Sequence, residues 1–234
     1  MTDRRAQLAG ALDQLRRRVA EACAAHGRDP AEVTTVVVTK TYPASDLQLL
    51  AELGVVDVGE ARDAEGRNKR GELAHLDLRW HCIGQVQTKK AASVATWADV
   101  VHSVDREKLV RALSRGALTA GRSIDVLVQI DLDPVGDTPG RGGAPIDQVL
   151  ALVDMVAAHE GLRPRGVMAV APLGADPEEA FARLRDVAER VRAEHPAAQW
   201  VSAGMSADLE AAIALGATHL RVGSAVLGSR PPDG

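Results

Sequence analysis

Between residues 4 and 26, apolar side chains fall at Leu8, Leu12, Leu15, Val19 and Cys23, with charged or small residues between them. Spacings of three and four place all five on one stripe of a helix, and Gly27 supplies its stop. The period then changes. Val33-Thr34-Thr35-Val36-Val37-Val38-Thr39 is a β-branched run between Pro30 and Pro43, too short and too stiff at χ1 for a helix, and it predicts a buried strand. From there the two patterns alternate. Helices are expected over 45–53, 61–73, 88–95, 106–120, 146–159, 177–195 and 207–215, with further strands over 55–58, 78–83, 100–103, 124–130, 164–170, 199–202 and 218–222.

Alternating strands and helices imply a parallel sheet, and eight strands favour closure into a single (β/α)8 barrel, with an open doubly wound sheet as the alternative. Residues 4–26 then form an extra N-terminal helix. No linker or composition shift divides residues 1–234, so one domain is expected; the Gly/Pro-rich stretch 133–145 falls between a strand and a helix and reads as a long βα loop. Arg141-Gly142-Gly143 inside it lacks the Gly-Lys-Ser/Thr of a phosphate loop and reads as mobile.

Composition narrows the function classes. No apolar run approaches the roughly 18 residues that a membrane span needs, and the amino terminus lacks the apolar block of a signal peptide. A cytoplasmic protein with no membrane partner is expected. Two cysteines, Cys23 and Cys82, in no CxxC spacing indicate neither a disulfide framework nor a metal site. A net charge of −4 and 2% aromatics speak against a nucleic-acid partner, which needs a basic stripe or stacking platforms.

In a barrel of this kind, chemistry gathers at the carboxyl ends of the strands. Lys40 ends the first strand there, where apolar surroundings favour the neutral amine that captures a carbonyl; the same position also suits a lysine whose stem merely snorkels off a strand end. Ser202-Ala203-Gly204-Met205-Ser206 follows the seventh strand and Arg221-Val222-Gly223-Ser224 the eighth. Loops in these two places commonly cradle a phosphate, so Ser202, Ser206, Gly223 and Ser224 are candidate ligands, although the glycines could simply turn and the serines cap. An inward Arg221 needs an acceptor, and a pyridine nitrogen would serve, at the cost of weakening the ring as an electron sink. His81 reads either as a ligand or base or as a hydrogen-bonded core residue; Cys82 beside it points to the opposite face, which argues against a shared metal.

In order along the chain, Val38-Thr39-Lys40-Thr41, Gly59-Glu60, Trp80-His81-Cys82-Ile83-Gly84-Gln85-Val86-Gln87, Met168-Ala169-Val170, Ser202-Ala203-Gly204-Met205-Ser206 and Arg221-Val222-Gly223-Ser224 closely resemble the YggS/PROSC family of pyridoxal phosphate homeostasis proteins. The resemblance implies the alanine racemase barrel, pyridoxal 5′-phosphate held as a Schiff base on Lys40, its phosphate on the two C-terminal motifs, and Met205, Arg221 and His81 among the cofactor contacts. Two positions depart from the family pattern: Ala61 and Lys89 stand where asparagine is usual. Cofactor-free pyridoxal phosphate enzymes are the expected partners, and the barrel is expected to be a monomer. The rival is a racemase or decarboxylase of the same barrel type. Those enzymes add a C-terminal β domain that completes the active site, and the sequence after Ser224 is too short for one, so a carrier without robust turnover is expected.

Overall fold

The computed structural model describes residues 2–133 and 142–228. Its first element, α1 (Thr2–Ala25), buries the five residues of the predicted stripe, Leu8, Leu12, Leu15, Val19 and Cys23. Eight strands follow: β1 (Thr34–Val38), β2 (Asp57–Glu60), β3 (Arg79–Cys82), β4 (Val100–Val104), β5 (Ile124–Gln129), β6 (Leu162–Met168), β7 (Trp200–Ser202) and β8 (His219–Val222). Between them lie α2 (Ala44–Glu52), α3 (Asp63–Glu72), α4 (Ala91–Trp97), α5 (Glu107–Thr119), α6 (Val149–Ala158), α7 (Pro177–Glu194) and α8 (Leu209–Ala214), and a short α9 (Ser224–Leu227) ends the described chain. The strands pair in parallel in chain order, and β1 pairs with β8 from Thr34↔His219 to Val37↔Val222. The barrel is closed, as the count of strands predicts, with α1 as the additional helix, packed beside α8 and α9.

The side-chain alternation of each strand sorts residues between two interiors. Val37, Val58, Trp80, Cys82, Val101, Val126, Val128, Val201, Leu220 and Val222 point outward into one large core shared with the helices. The barrel axis is filled differently. Val100, Leu127 and Met168 form a separate apolar cluster on the β4–β6 side, flanked by Val170 and Trp200. Facing it are buried polar residues of β3, β4, β7 and β8: His81, His102, Ser202, His219 and Arg221. The barrel interior therefore carries an apolar cluster on the β4–β6 side and a group of buried polar side chains facing it.

Most boundaries fall where the pattern places them, and the differences have local causes. β2 runs two residues later than expected, because Val56 is 51% exposed while Gly59 and Glu60 pair with His81 and Cys82. The helices expected from 88 and 146 each begin with a 3-10 turn, Thr88–Lys90 and Ile146–Gln148. α7 starts where its signal sits: Asp176 Oδ1 accepts the Glu178 N–H at 2.9 Å and Pro177 occupies the first turn. No described helix is long and apolar enough to cross a membrane. Arg141 and most of the 133–145 loop lie outside the described residues.

Candidate functional site

Lys40 follows β1 in a tight turn, and Thr41 after it has φ 72°, the left-handed region that a residue with a branched Cβ rarely enters. Four side chains, those of Thr39, Glu60, Glu65 and Lys69, hold the turn. Lys69, from α3, donates to the Thr39 carbonyl at 2.8 Å, to Glu60 Oε1 at 2.8 Å and to Glu65 Oε1 at 2.7 Å. Glu65 Oε1 in turn accepts the Thr41 N–H at 2.6 Å, and Thr39 Oγ1 donates to Glu60 Oε1 at 2.6 Å. Burial pushes the Glu60 carboxyl up, against the pull of Lys69 and Thr39. The clamp therefore fixes the backbone on both sides of Lys40 through a salt-bridged cluster behind it.

At the carboxyl ends of the strands a cavity of about 470 Å³ opens beside Lys40. Its polar lining among the described residues is Lys40, Arg221, Ser206, Ser224 and Tyr42, with no carboxylate among them. Val38, Ile83, Val170 and Met205 supply apolar walls. Ser224 Oγ donates to Ser206 Oγ at 3.1 Å, and the Ala225 N–H reaches the same oxygen at 3.3 Å, so the loops after β7 and β8 meet at one hydroxyl pair. From α1, Arg18 holds the Ser206 carbonyl at 3.2 Å. Gly204 turns the β7 loop with φ 88°, and a Cβ there would lie 2.6 Å from Ala212 Cβ, so only glycine lets this loop fold back against α8.

Arg221 is 5% exposed. Its Nη1 donates to Ser202 Oγ at 2.6 Å and its Nη2 to the Ala169 carbonyl at 2.8 Å, and burial, partly opposed by Asp208, pulls its pKa down to about 10. It remains charged at neutral pH, held by neutral acceptors. Tyr42 is also committed: its hydroxyl donates to the Gly228 carbonyl at 2.8 Å.

Of the residues singled out in the sequence, Lys40, Met205, Ser206, Arg221, Gly223 and Ser224 surround this one cavity. Ser202 and His81 do not line it. Ser202 was expected among the phosphate ligands, but β7 alternation turns its side chain into the barrel, where Oγ meets Arg221 and His102. His81 sits deeper still, between His102 and Asp57, with Cys82 turned to the outer core and its thiol pushed up to about 12 by burial. No group of metal-ligating side chains occurs among the described residues. The sequence reading missed the clamp of Glu65 and Lys69, although their four-residue spacing on a predicted helix is a recognised pairing signal. It also missed Asp57 and His102.

Residues 11–231 match the alanine racemase N-terminal domain family. The chain is 46% identical over 213 residues to the pyridoxal phosphate homeostasis protein of Corynebacterium glutamicum, covering 88% of this chain and 94% of that protein. It is 40% identical over 244 residues to the protein of the same description from Mycobacterium tuberculosis, covering 97% and 95%. Among solved structures, PipY of Synechococcus elongatus with PLP bound superposes with a TM-score of 0.81 at 31% identity, over 94% of this chain and 100% of that one.

Proposed function

This chain belongs to the YggS/PROSC family of pyridoxal phosphate homeostasis proteins, built on the alanine racemase N-terminal barrel, and from that premise we propose that it holds pyridoxal 5′-phosphate beside Lys40 and keeps it available without turning over a substrate. The observation that carries this is the chemistry of the cavity wall: one amine, one guanidinium, a hydroxyl pair and apolar faces, with no carboxylate among the described residues. An amine suits the aldehyde, the hydroxyl pair and the turn at Gly223 suit the phosphate, and the Arg221 charge favours an anionic ligand, whereas a site built around an acid would not.

When bound, the cofactor supplies an electrophilic aldehyde and an electron-withdrawing ring. Lys40 would hold the aldehyde carbon through its amine. Ser206, Ser224 and Gly223 would hold the phosphate, and Met205, Ile83 and Val170 would exclude water from the ring faces. Arg221 would donate to the ring nitrogen and leave it unprotonated, since a guanidinium cannot give up its proton there as an aspartic acid could. Ser202 would act through Arg221, and His81 further back.

The carrier role follows from what the side chains leave undone. Racemisation needs acid–base groups on both faces of a substrate carbon, and Lys40 serves one face. Tyr42, the single tyrosine of the sequence, has its hydroxyl spent on Gly228. A carrier of this kind implies cofactor-free pyridoxal phosphate enzymes of the cytoplasm as recipients. Absorbance spectroscopy tests the whole reading: the loaded protein should show a visible band, borohydride should fix the pyridoxyl group on Lys40, and Lys40→Ala should be colourless. Labelling of Lys89 or Lys90 with Lys40 untouched would overturn the assignment. Rapid, Lys40-dependent exchange of the alanine α-proton in deuterated water would replace the carrier with an enzyme.

A further inference from the structure

Behind the cavity an unbroken line of hydrogen bonds crosses the barrel interior. Arg221 Nη1 reaches Ser202 Oγ at 2.6 Å, Ser202 Oγ meets His102 Nδ1 at 2.9 Å, His102 Nε2 meets His81 Nδ1 at 2.8 Å, and His81 Nε2 meets Asp57 Oδ1 at 2.8 Å. His81, His102 and Ser202 are wholly buried. Asp57 opens β2, so it stands at the amino-terminal mouth of the barrel, opposite the cavity, with its side chain 16% exposed and Arg79 at 3.8 Å. His219 also faces this line; its ring centre lies 6.5 Å from that of His81, and its Nδ1 is engaged by Thr218 Oγ1 at 2.8 Å, while Asp208 acts on Arg221 at the other end.

The carboxylate end fixes the direction of every proton along the line. A guanidinium only donates and a carboxylate only accepts, while a neutral imidazole has one N–H and one lone pair. Starting from Asp57, His81 must donate from Nε2 and so accept at Nδ1. His102 must then donate from Nε2 and accept at Nδ1, which receives the Ser202 hydroxyl proton. The lone pairs of Ser202 Oγ are thereby left for Arg221. Starting from Arg221, Ser202 Oγ keeps both a proton and a second lone pair, so it is the Asp57 end that selects the arrangement, and that arrangement satisfies all four links with one proton each.

We propose that Asp57 is a positioning residue for Arg221, acting across the barrel through His81, His102 and Ser202 to orient the Ser202 hydroxyl away from the guanidinium. Without an acceptor at Asp57 the two histidines can adopt the opposite tautomers. His102 Nδ1–H then points at Ser202 Oγ, and the hydroxyl proton loses its acceptor beside a cation that only donates. Arg221 is left less firmly held on the side that meets the ligand. The link to ligand binding rests on the cofactor site proposed above, whereas the proton arrangement does not.

Nitrogen NMR of the cofactor-free protein at pH 8 reads the tautomers directly. Both His81 and His102 should carry their proton on Nε2 in the native chain; Asp57→Ala should convert them to a mixture, and Asp57→Asn, whose amide oxygen still accepts, should restore the native pattern. Affinity for pyridoxal 5′-phosphate should fall roughly tenfold in Asp57→Ala, the size of one charged hydrogen bond, and recover in Asp57→Asn. Nδ1–H tautomers in the native chain, or unchanged tautomers and affinity in Asp57→Ala, would overturn the proposal. Native tautomers as described in a protein that fails to bind the cofactor would instead count against the cofactor site alone.

Discussion

Thr41 pays for the position of its neighbour. A non-glycine residue in the left-handed region costs about 1–2 kcal/mol, and its hydroxyl finds no hydrogen-bond partner in the interior. What keeps it there is the Glu65 carboxylate on its N–H and Lys69 behind that carboxylate. Thr41→Gly should therefore stabilise the fold by about 1 kcal/mol, a rise in melting temperature of roughly 2–4 °C, while loosening the turn and weakening cofactor retention. Thermal denaturation with and without pyridoxal phosphate checks both halves; a lower melting temperature would show that the turn is unstrained. The residues that hold the turn are harder to see in sequence than the lysine they serve. Lys40 announces itself by ending a β-branched run, whereas Lys69 reads as one more charge on a polar helix until β1, β2 and α3 are brought together.

At the scale of the strands, periodicity carried most of the fold and very little of the barrel axis. Outward-facing apolar residues such as Val58, Val101 and Val201 give the alternation its signal, because the helices cover them. The inward set mixes Gly59, His81, His102, Ser202 and Arg221, a composition that resembles a loop as much as a strand, which is why periodicity places β2 two residues early and does not single out His102. That inward set has a thermodynamic signature. Burial holds the His102 imidazole well below its ordinary value and takes His219 down to about 3, with the charge of His81 adding to both. Between those values and the unfolded value near 6.5 the unfolded chain binds more protons, so stability is full above about pH 6.5 and falls as the pH drops below it. Two such groups make the slope approach roughly 3 kcal/mol per pH unit well below pH 6.5. Denaturant titrations between pH 7 and 5 should show this slope, and His219→Phe should halve it; a flat profile would mean that the histidines charge freely inside the fold.

For the molecule as a whole, the closing seam between β1 and β8 brings the earliest and latest parts of the described chain to the same cavity. Lys40 and Tyr42 come from the first βα unit, Arg221, Gly223, Ser224 and Gly228 from the last, and Arg4 of α1 ties Asp46 at 2.6 Å to the Leu227 carbonyl at 3.2 Å. The order of synthesis then matters. A growing polypeptide would display Lys40, the proposed cofactor lysine, about 180 residues before Arg221, Gly223 and Ser224 emerge, and until then the proposed phosphate loops would be incomplete. Ribosome-held chains ending before residue 219 should stay colourless with pyridoxal phosphate, and the visible band should arrive only once residues 219–228 have emerged from the exit tunnel. On the proposed site, loading would in this way wait for the β1–β8 seam to close, so that a chain lacking that seam would withdraw no cofactor from the cell.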